Sequence, residues 1–149
     1  MELEKEINQS KFQSQYQKLG INIIYTASWL RNFTLQRLKP YNISPEQFNI
    51  LRILRGRYPK PSTIMLLTER MLDKSSNASR IVEKLRQKGY VERKECSKDR
   101  RQVDILITDA GREVLAKLDE SEDDWYQIMG GLTEEEAKLV NNLLDKLRG

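Results

Sequence analysis

Between Asp73 and Thr108 the hydrophobic period switches from that of a helix to that of paired strands within a few residues, and no other stretch constrains the fold as strongly. Ala78, Ile81, Val82 and Leu85 fall at i, i+3, i+4 and i+7, which makes one apolar stripe for one core. Ser76, Asn77, Arg80 and Lys84 occupy the opposite face. Asp73 or Ser75 is placed to cap the start of this helix. Gly89, following Arg86 and Lys88, suits a left-handed stop at its end. Strands are then expected at Val91–Cys96 and Gln102–Ile107, joined by the basic tip Ser97-Lys98-Asp99-Arg100-Arg101. Such a helix can enter the major groove of a duplex while the hairpin tip reaches the backbone or the minor groove.

Charge is distributed to match. From Asp73 to Arg101 there are ten Lys or Arg against five Asp or Glu, a local excess of +5 in a chain whose net charge is +4. Asp119 to Glu136 holds eight acids and no Lys or Arg. One end of the molecule therefore attracts phosphate and the other repels it. Taken singly, Lys84, Arg86 and Lys88 read as a solvated face, the ordinary place for such side chains. The coincidence of basic footprint and motif favours DNA.

At 149 residues one domain is expected, and 38% hydrophobic against 32% charged residues is lean for a self-contained monomer. Apolar stripes nevertheless run almost end to end, so pairing with a second copy would complete the core. No apolar run approaches the roughly 18 residues of a membrane span, and Met-Glu-Leu-Glu-Lys-Glu-Ile does not read as a signal peptide. A cytoplasmic protein without membrane contact is expected. The single cysteine excludes an internal disulfide framework, and the absence of histidine removes the commonest member of metal sites and acid–base pairs. No glycine-rich phosphate loop or serine elbow is present. Neither an enzyme, a metal site nor a cofactor is expected, since nothing pairs a nucleophile with a base.

The remaining elements follow from periodicity and caps. Phe12, Tyr16, Leu19, Ile23, Ala27 and Leu30 place a long helix from about Asn8 to about Leu38, ended by Pro40, with Trp29 and Phe33 off its main stripe. Ser44-Pro45-Glu46-Gln47 is a capping box that opens a helix turning Phe48, Leu51 and Leu54 inward. The chain breaks at Tyr58-Pro59-Lys60-Pro61, with a short strand expected near Lys60 to Ser62. Ser62 or Thr63 then restarts a short helix carrying Ile64, Leu67, Met71 and Leu72. Thr108 caps a long helix holding Val114, Leu115, Leu118, Trp125, Ile128 and Met129. Gly130-Gly131 breaks it, and Thr133-Glu134-Glu135-Glu136 opens a last helix with Val140, Leu143, Leu144 and Leu147. The expected fold is mainly α with a small hairpin, in the order four helices, two strands, two helices.

Four motifs in sequence carry a resemblance: Ser79-Arg80-Ile81-Val82-Glu83-Lys84-Leu85, Lys88-Gly89-Tyr90-Val91-Glu92-Arg93, Asp99-x-Arg101, and Ile107-Thr108-x-x-Gly111. The chain resembles the MarR family of winged helix-turn-helix regulators over essentially its whole length. The resemblance implies a homodimer whose terminal helices, residues 8–38 and 109–148, interlock while two winged helix-turn-helix lobes, residues 44–108, straddle a palindromic operator. It implies that Arg101 enters the minor groove, where a rigid arginine gains from the concentrated negative potential, and that Asp99 orders the wing. The family's base-reading positions correspond to Ser75, Ser76, Asn77, Ser79 and Arg80, while Lys84, Lys98 and Arg100 join them on the DNA side. Residue type does not fix which of them meet bases and which meet phosphates.

The family also implies a small phenolic or anionic effector, for which Tyr16, Tyr25, Trp29 and Arg31 are candidates on the first long helix; aromatics at helical spacing serve equally as core or dimer contacts. Cys96, at the base of the wing, has no resolving partner and does not match the upstream position of redox cysteines in relatives. A winged helix serving protein contacts alone is the competing reading, and it needs an apolar patch where Ser76, Asn77 and Arg80 stand.

Overall fold

Each long helix begins at a side chain that satisfies the backbone donors its first turn leaves free. In the computed structural model, which describes residues 2–95, 103–120 and 128–149, Ser44 and Gln47 form the expected capping box at the start of α3 (Pro45–Arg57). Thr63 rather than Ser62 caps α4 (Ile64–Arg70). Thr108 caps α6 (Asp109–Asp119), and Thr133 with Glu136 closes a second capping box on α7 (Glu134–Arg148). Between these lie α5 (Ala78–Gln87) and an antiparallel hairpin of β1 (Val91–Glu95) and β2 (Val103–Ile107).

The first long helix differs from expectation at its start. A short α1 (Leu3–Glu6) precedes it, Asn8 takes a left-handed turn with φ 52°, and α2 (Gln15–Leu38) begins only after Ser14. The Ser14 hydroxyl accepts from the Gln17 amide at 3.1 Å while Gln17 Oε1 accepts from the Gln13 amide at 2.7 Å, so local capping overrides the apolar stripe that runs back to Phe12. The Glu4 carboxylate accepts from Lys18, and Tyr25 donates to Glu6 at 2.6 Å, which folds α1 back along α2. As expected, α2 stops before Pro40, which sits in a 3-10 turn at Lys39–Tyr41.

Beneath the helix-turn-helix lies one core. Ile50, Leu51 and Leu54 of α3, Leu67 of α4, Val82 and Leu85 of α5, Ile105 of β2, and Leu115 and Leu118 of α6 are all buried, and Phe48 packs against them from its edge. The expected short strand near Lys60 to Ser62 is a single bridge: Ser62 and Ile105 exchange both backbone hydrogen bonds, at 2.9 and 2.8 Å. Met71 is buried as expected, whereas Leu72 is 87% exposed. The helical period ends at Arg70, Met71 is extended with ψ 140°, and the Leu72 amide donates instead to Asn49 Oδ1 at 2.9 Å.

Terminal helices meet the lobe through ionic ties. Arg55 grips Asp119 with both terminal nitrogens and Arg31 meets Glu46 at 2.9 Å, while Arg37 of α2 donates to the Leu118 carbonyl of α6 and so ties two terminal helices to each other. The helix expected to run from Thr108 through Met129 ends instead at Asp119, where the Glu120 amide closes it on the Ala116 carbonyl. Ile128 and Met129 are helical, and the chain turns at Gly130-Gly131 as expected. In contrast to the lobe, α7 buries none of its residues. Cys96, Lys98, Asp99, Arg100, Arg101 and Trp125 lie outside the described residues.

Candidate nucleic-acid interface

Asn77, not Asp73 or Ser75, caps α5: its Oδ1 accepts from the Arg80 amide at 3.0 Å. Asp73 instead closes a tight turn ahead of the helix, where its Oδ1 accepts from the Ser75 hydroxyl at 2.6 Å and the Ser75 amide at 2.9 Å. Hydrogen bonds from the Ser75 side chain, the Ser75 backbone and the Ser76 side chain hold the Asp73 carboxyl below its ordinary range. Ser75, Ser76 and Asn77 therefore stand before the helix rather than on the outer face of its first turn. Asn77→Ala should lower stability by about 1 kcal/mol through loss of the cap, while Asn77→Asp should keep most of it. Urea midpoints of the two variants and the parent check this, and equal midpoints for Asn77→Ala and the parent would rule the cap out.

At its far end α5 closes as expected. Gly89 has φ 75°, its amide donates to the Arg86 carbonyl at 2.9 Å, and the Tyr90 amide donates to the Leu85 carbonyl at 3.0 Å. This paired closure, with glycine in the left-handed position, turns the chain directly into β1. Lys88 remains exposed, but its Nζ is engaged, donating to Gln47 Oε1 at 3.1 Å and to the Asn42 carbonyl.

With Ala78, Val82 and Leu85 buried, Ser79, Arg80 and Lys84 are left exposed on the opposite side. They line an open concavity of about 670 Å³ together with Asn77, Glu83, Gln87 and Arg93. Among the described residues, neither Arg80 nor Lys84 has an ion-pair partner. Glu83, by contrast, accepts from Arg86 Nη2 at 2.8 Å, Arg86 Nε at 3.1 Å and Arg93 at 3.5 Å. The Arg86 guanidinium holds the Glu83 carboxyl below its usual range and is itself pushed up by that carboxylate. Sequence alone does not single out Glu83 and Arg93 as site residues. A strand residue ten positions from Glu83 joins the helix face only because the chain doubles back at Gly89, and the sole local sign is that Arg93 ends the second motif.

The four effector candidates on α2 do not converge. Tyr16, 87% exposed, stands at an apolar groove of about 820 Å³ between α2 and α7, lined also by Leu19, Ile23, Leu30, Val140, Leu143 and Leu147. Tyr25, nine residues on and so on the other side of the helix, donates to Glu6, and that hydrogen bond raises its phenol. Trp29 is about half exposed, and Arg31 is held by Glu46. Among the described residues no cluster of His, Cys, Asp or Glu could hold a metal ion, and no helix is long and apolar enough to cross a membrane.

Residues 41–102, which include α3, α4, α5 and the first strand of the hairpin, match a family model described as the MarR family. The chain is similar to the uncharacterized HTH-type transcriptional regulator YkoM of Bacillus subtilis (strain 168), 31% identical over 80 residues that make up 54% of this chain and 51% of that protein. It spans about half the length of the curated relatives it matches. Its fold is that of the organohalide-sensing regulator RdhR in a form bound to 2,4-dichlorophenol, with TM-score 0.81 at 23% identity over 94% of this chain and 85% of the other. A mutant MarR from Escherichia coli complexed with operator DNA superposes with TM-score 0.76 at 23% identity, over 93% of this chain and 99% of that one. Residues 41–102, most of the lobe, thus match the MarR family model, and the chain as a whole has the winged helix-turn-helix fold of these solved regulators.

Proposed function

We propose that this protein is a sequence-specific, non-enzymatic DNA-binding transcriptional regulator that acts as a homodimer on a palindromic operator. The observation that carries the reading is the outer face of α5, where Arg80 and Lys84 stand exposed and unpaired among the described residues beside Ser79, on a helix whose other side is locked into the core. In a recognition helix the N-terminal residues reach base edges while cations further along meet the backbone. Ser75, Ser76, Asn77, Ser79 and Arg80 then form the reading end, and Lys84 binds phosphate. Lys98 and Arg100 extend the backbone contacts, Arg101 enters the minor groove, and Asp99 orders the wing. A purely protein-binding winged helix is disfavoured because the described residues of this face, Ser79, Arg80, Glu83, Lys84, Gln87 and Arg93, are all polar or charged.

Two lobes, residues 44–108 of each chain, are held at operator spacing by the terminal helices, residues 8–38 and 109–148. The mode of action is repression relieved by a small phenolic or anionic effector, a reading supported by the shared fold of an organohalide-sensing regulator solved with 2,4-dichlorophenol. Tyr16, Tyr25, Trp29 and Arg31 are the first positions to vary in testing it.

Selection of bound duplexes from a random library tests the central claim. The selected sites are expected to be inverted repeats with half-site centres roughly one helical turn, about 34–36 Å, apart. On such a site Arg101→Ala should lose about 1–3 kcal/mol of binding free energy and Lys98→Ala less, as titrations at fixed salt will show. Selection that enriches no motif would overturn sequence-specific binding, and equal losses for the two variants would overturn the minor-groove role.

A further inference from the structure

Glu83 presents a carboxylate to the same concavity that offers Arg80 and Lys84 to DNA. A negative charge on a face that meets phosphates is unfavourable unless it serves something, and here it holds two guanidinium groups. The Arg86 fork binds Glu83 through two nitrogens at 2.8 and 3.1 Å, Gln87 Nε2 donates at 3.4 Å, and Arg93 approaches from β1 at 3.5 Å. Two arginines and one carboxylate present a net charge of +1 where the arginines alone would present +2.

Binding to DNA of any sequence grows with the number of phosphates that free cations can neutralise, whereas discrimination depends on contacts to base edges. A carboxylate that removes one positive charge from the face and occupies the donors of two arginines lowers the first while leaving the second untouched. We propose that Glu83 is a specificity-determining residue, which keeps Arg86 and Arg93 from binding phosphates indiscriminately. The inference rests on the DNA-binding reading above. Glu83 acts through the two arginines, and Arg80, Lys84 and Ser79 remain the groups that touch DNA.

The test uses the full chain with two duplexes, the site selected from a random library and a scrambled version, titrated at several salt concentrations. Glu83→Gln keeps the length of the side chain and removes its charge. It should tighten binding to the scrambled duplex by about three- to tenfold at low salt, and steepen the dependence of log affinity on log salt by about one unit, the value for one further phosphate contact. The ratio of selected to scrambled affinity should narrow. Arg93→Ala added to Glu83→Gln should bring the slope back toward that of the parent, and Lys84→Ala, as a reference for loss of a phosphate contact, should lower it by about one unit. An unchanged slope in Glu83→Gln overturns the proposal, and so does weaker binding to both duplexes, which would make Glu83 a support for Arg93. If the parent discriminates and Glu83→Gln does not differ from it, only this inference fails. If the parent binds neither duplex, the DNA-binding reading fails and takes this inference with it.

Discussion

Gly111→Ala is expected to destabilise the protein by about 3 kcal/mol, at the upper end of the range for forcing an extra carbon into a packed site. Gly111 is in the first turn of α6, and a Cβ there would strike the Tyr90 carbonyl oxygen and lie 2.8 Å from Ile107 Cγ1. Neither neighbour can yield. The Tyr90 carbonyl accepts from the Thr108 amide at 3.0 Å, and Ile107 is a buried strand residue. The Thr108 hydroxyl donates to the Gly89 carbonyl at 2.7 Å and accepts from the Gly111 amide at 3.2 Å, so one threonine joins the closure of α5 to the start of α6. Gly111 therefore serves as a point of close approach rather than as a conformational exception. Gly20→Ala is the control, since that glycine lies inside α2, a Cβ added there would meet nothing within 4 Å, and the variant should gain up to about 1 kcal/mol from helix propensity. Urea unfolding at one protein concentration compares the two. Similar midpoints for both variants would show that the α5–α6 junction tolerates movement and that the Ile-Thr-x-x-Gly motif has another cause.

What can be read from sequence is what local chemistry decides. The capping boxes at Ser44 and Thr133, the Thr108 cap and the Gly89 closure each involve partners within four or five residues, and all are found where the sequence places them. The cap of α5 falls elsewhere than expected because Asp73, Ser75, Ser76 and Asn77 can all serve. The choice among them depends on which register buries Ala78, 3% exposed in the fold, and that is a tertiary fact. The start of α2 departs from expectation for the opposite reason: an apolar stripe continues through Phe12, but a stripe does not report where the backbone turns. Leu72 reads as inward-facing because periodicity cannot show that a helix has already ended. The ties that position the lobe, Arg55 to Asp119 and Arg31 to Glu46, join residues 64 and 15 positions apart, and the Glu83–Arg93 contact depends on a reversal of the chain. Such contacts are invisible to any short window.

The terminal helices lead to the second large effect, dissociation of the protein by the double variant Leu143→Glu, Leu147→Glu. In one chain Leu139, Leu143 and Leu147 are 58%, 56% and 59% exposed on α7. Leu143 and Leu147 stand with Tyr16 and Leu19 of α2 around an apolar groove of about 820 Å³. An apolar face of this extent on a chain that is 32% charged is expected to be covered by a second copy, and a two-fold pair of lobes suits a palindromic site. The parent should sediment as a dimer of about 35 kDa, twice the chain mass of 17.6 kDa, at micromolar concentration. Glutamates at 143 and 147 would bring four negative charges into the joint face of two chains, where desolvation and mutual repulsion oppose burial. The lobe itself should keep its stability, because these leucines are not part of its core cluster. The variant should therefore sediment at the chain mass, and its affinity for the selected site should fall by about 100-fold or more, since the second lobe no longer binds as an intramolecular event. A variant that remains dimeric would place the interface elsewhere. A variant that is monomeric yet binds as tightly as the parent would overturn the two-fold operator, because one lobe alone would then account for the affinity.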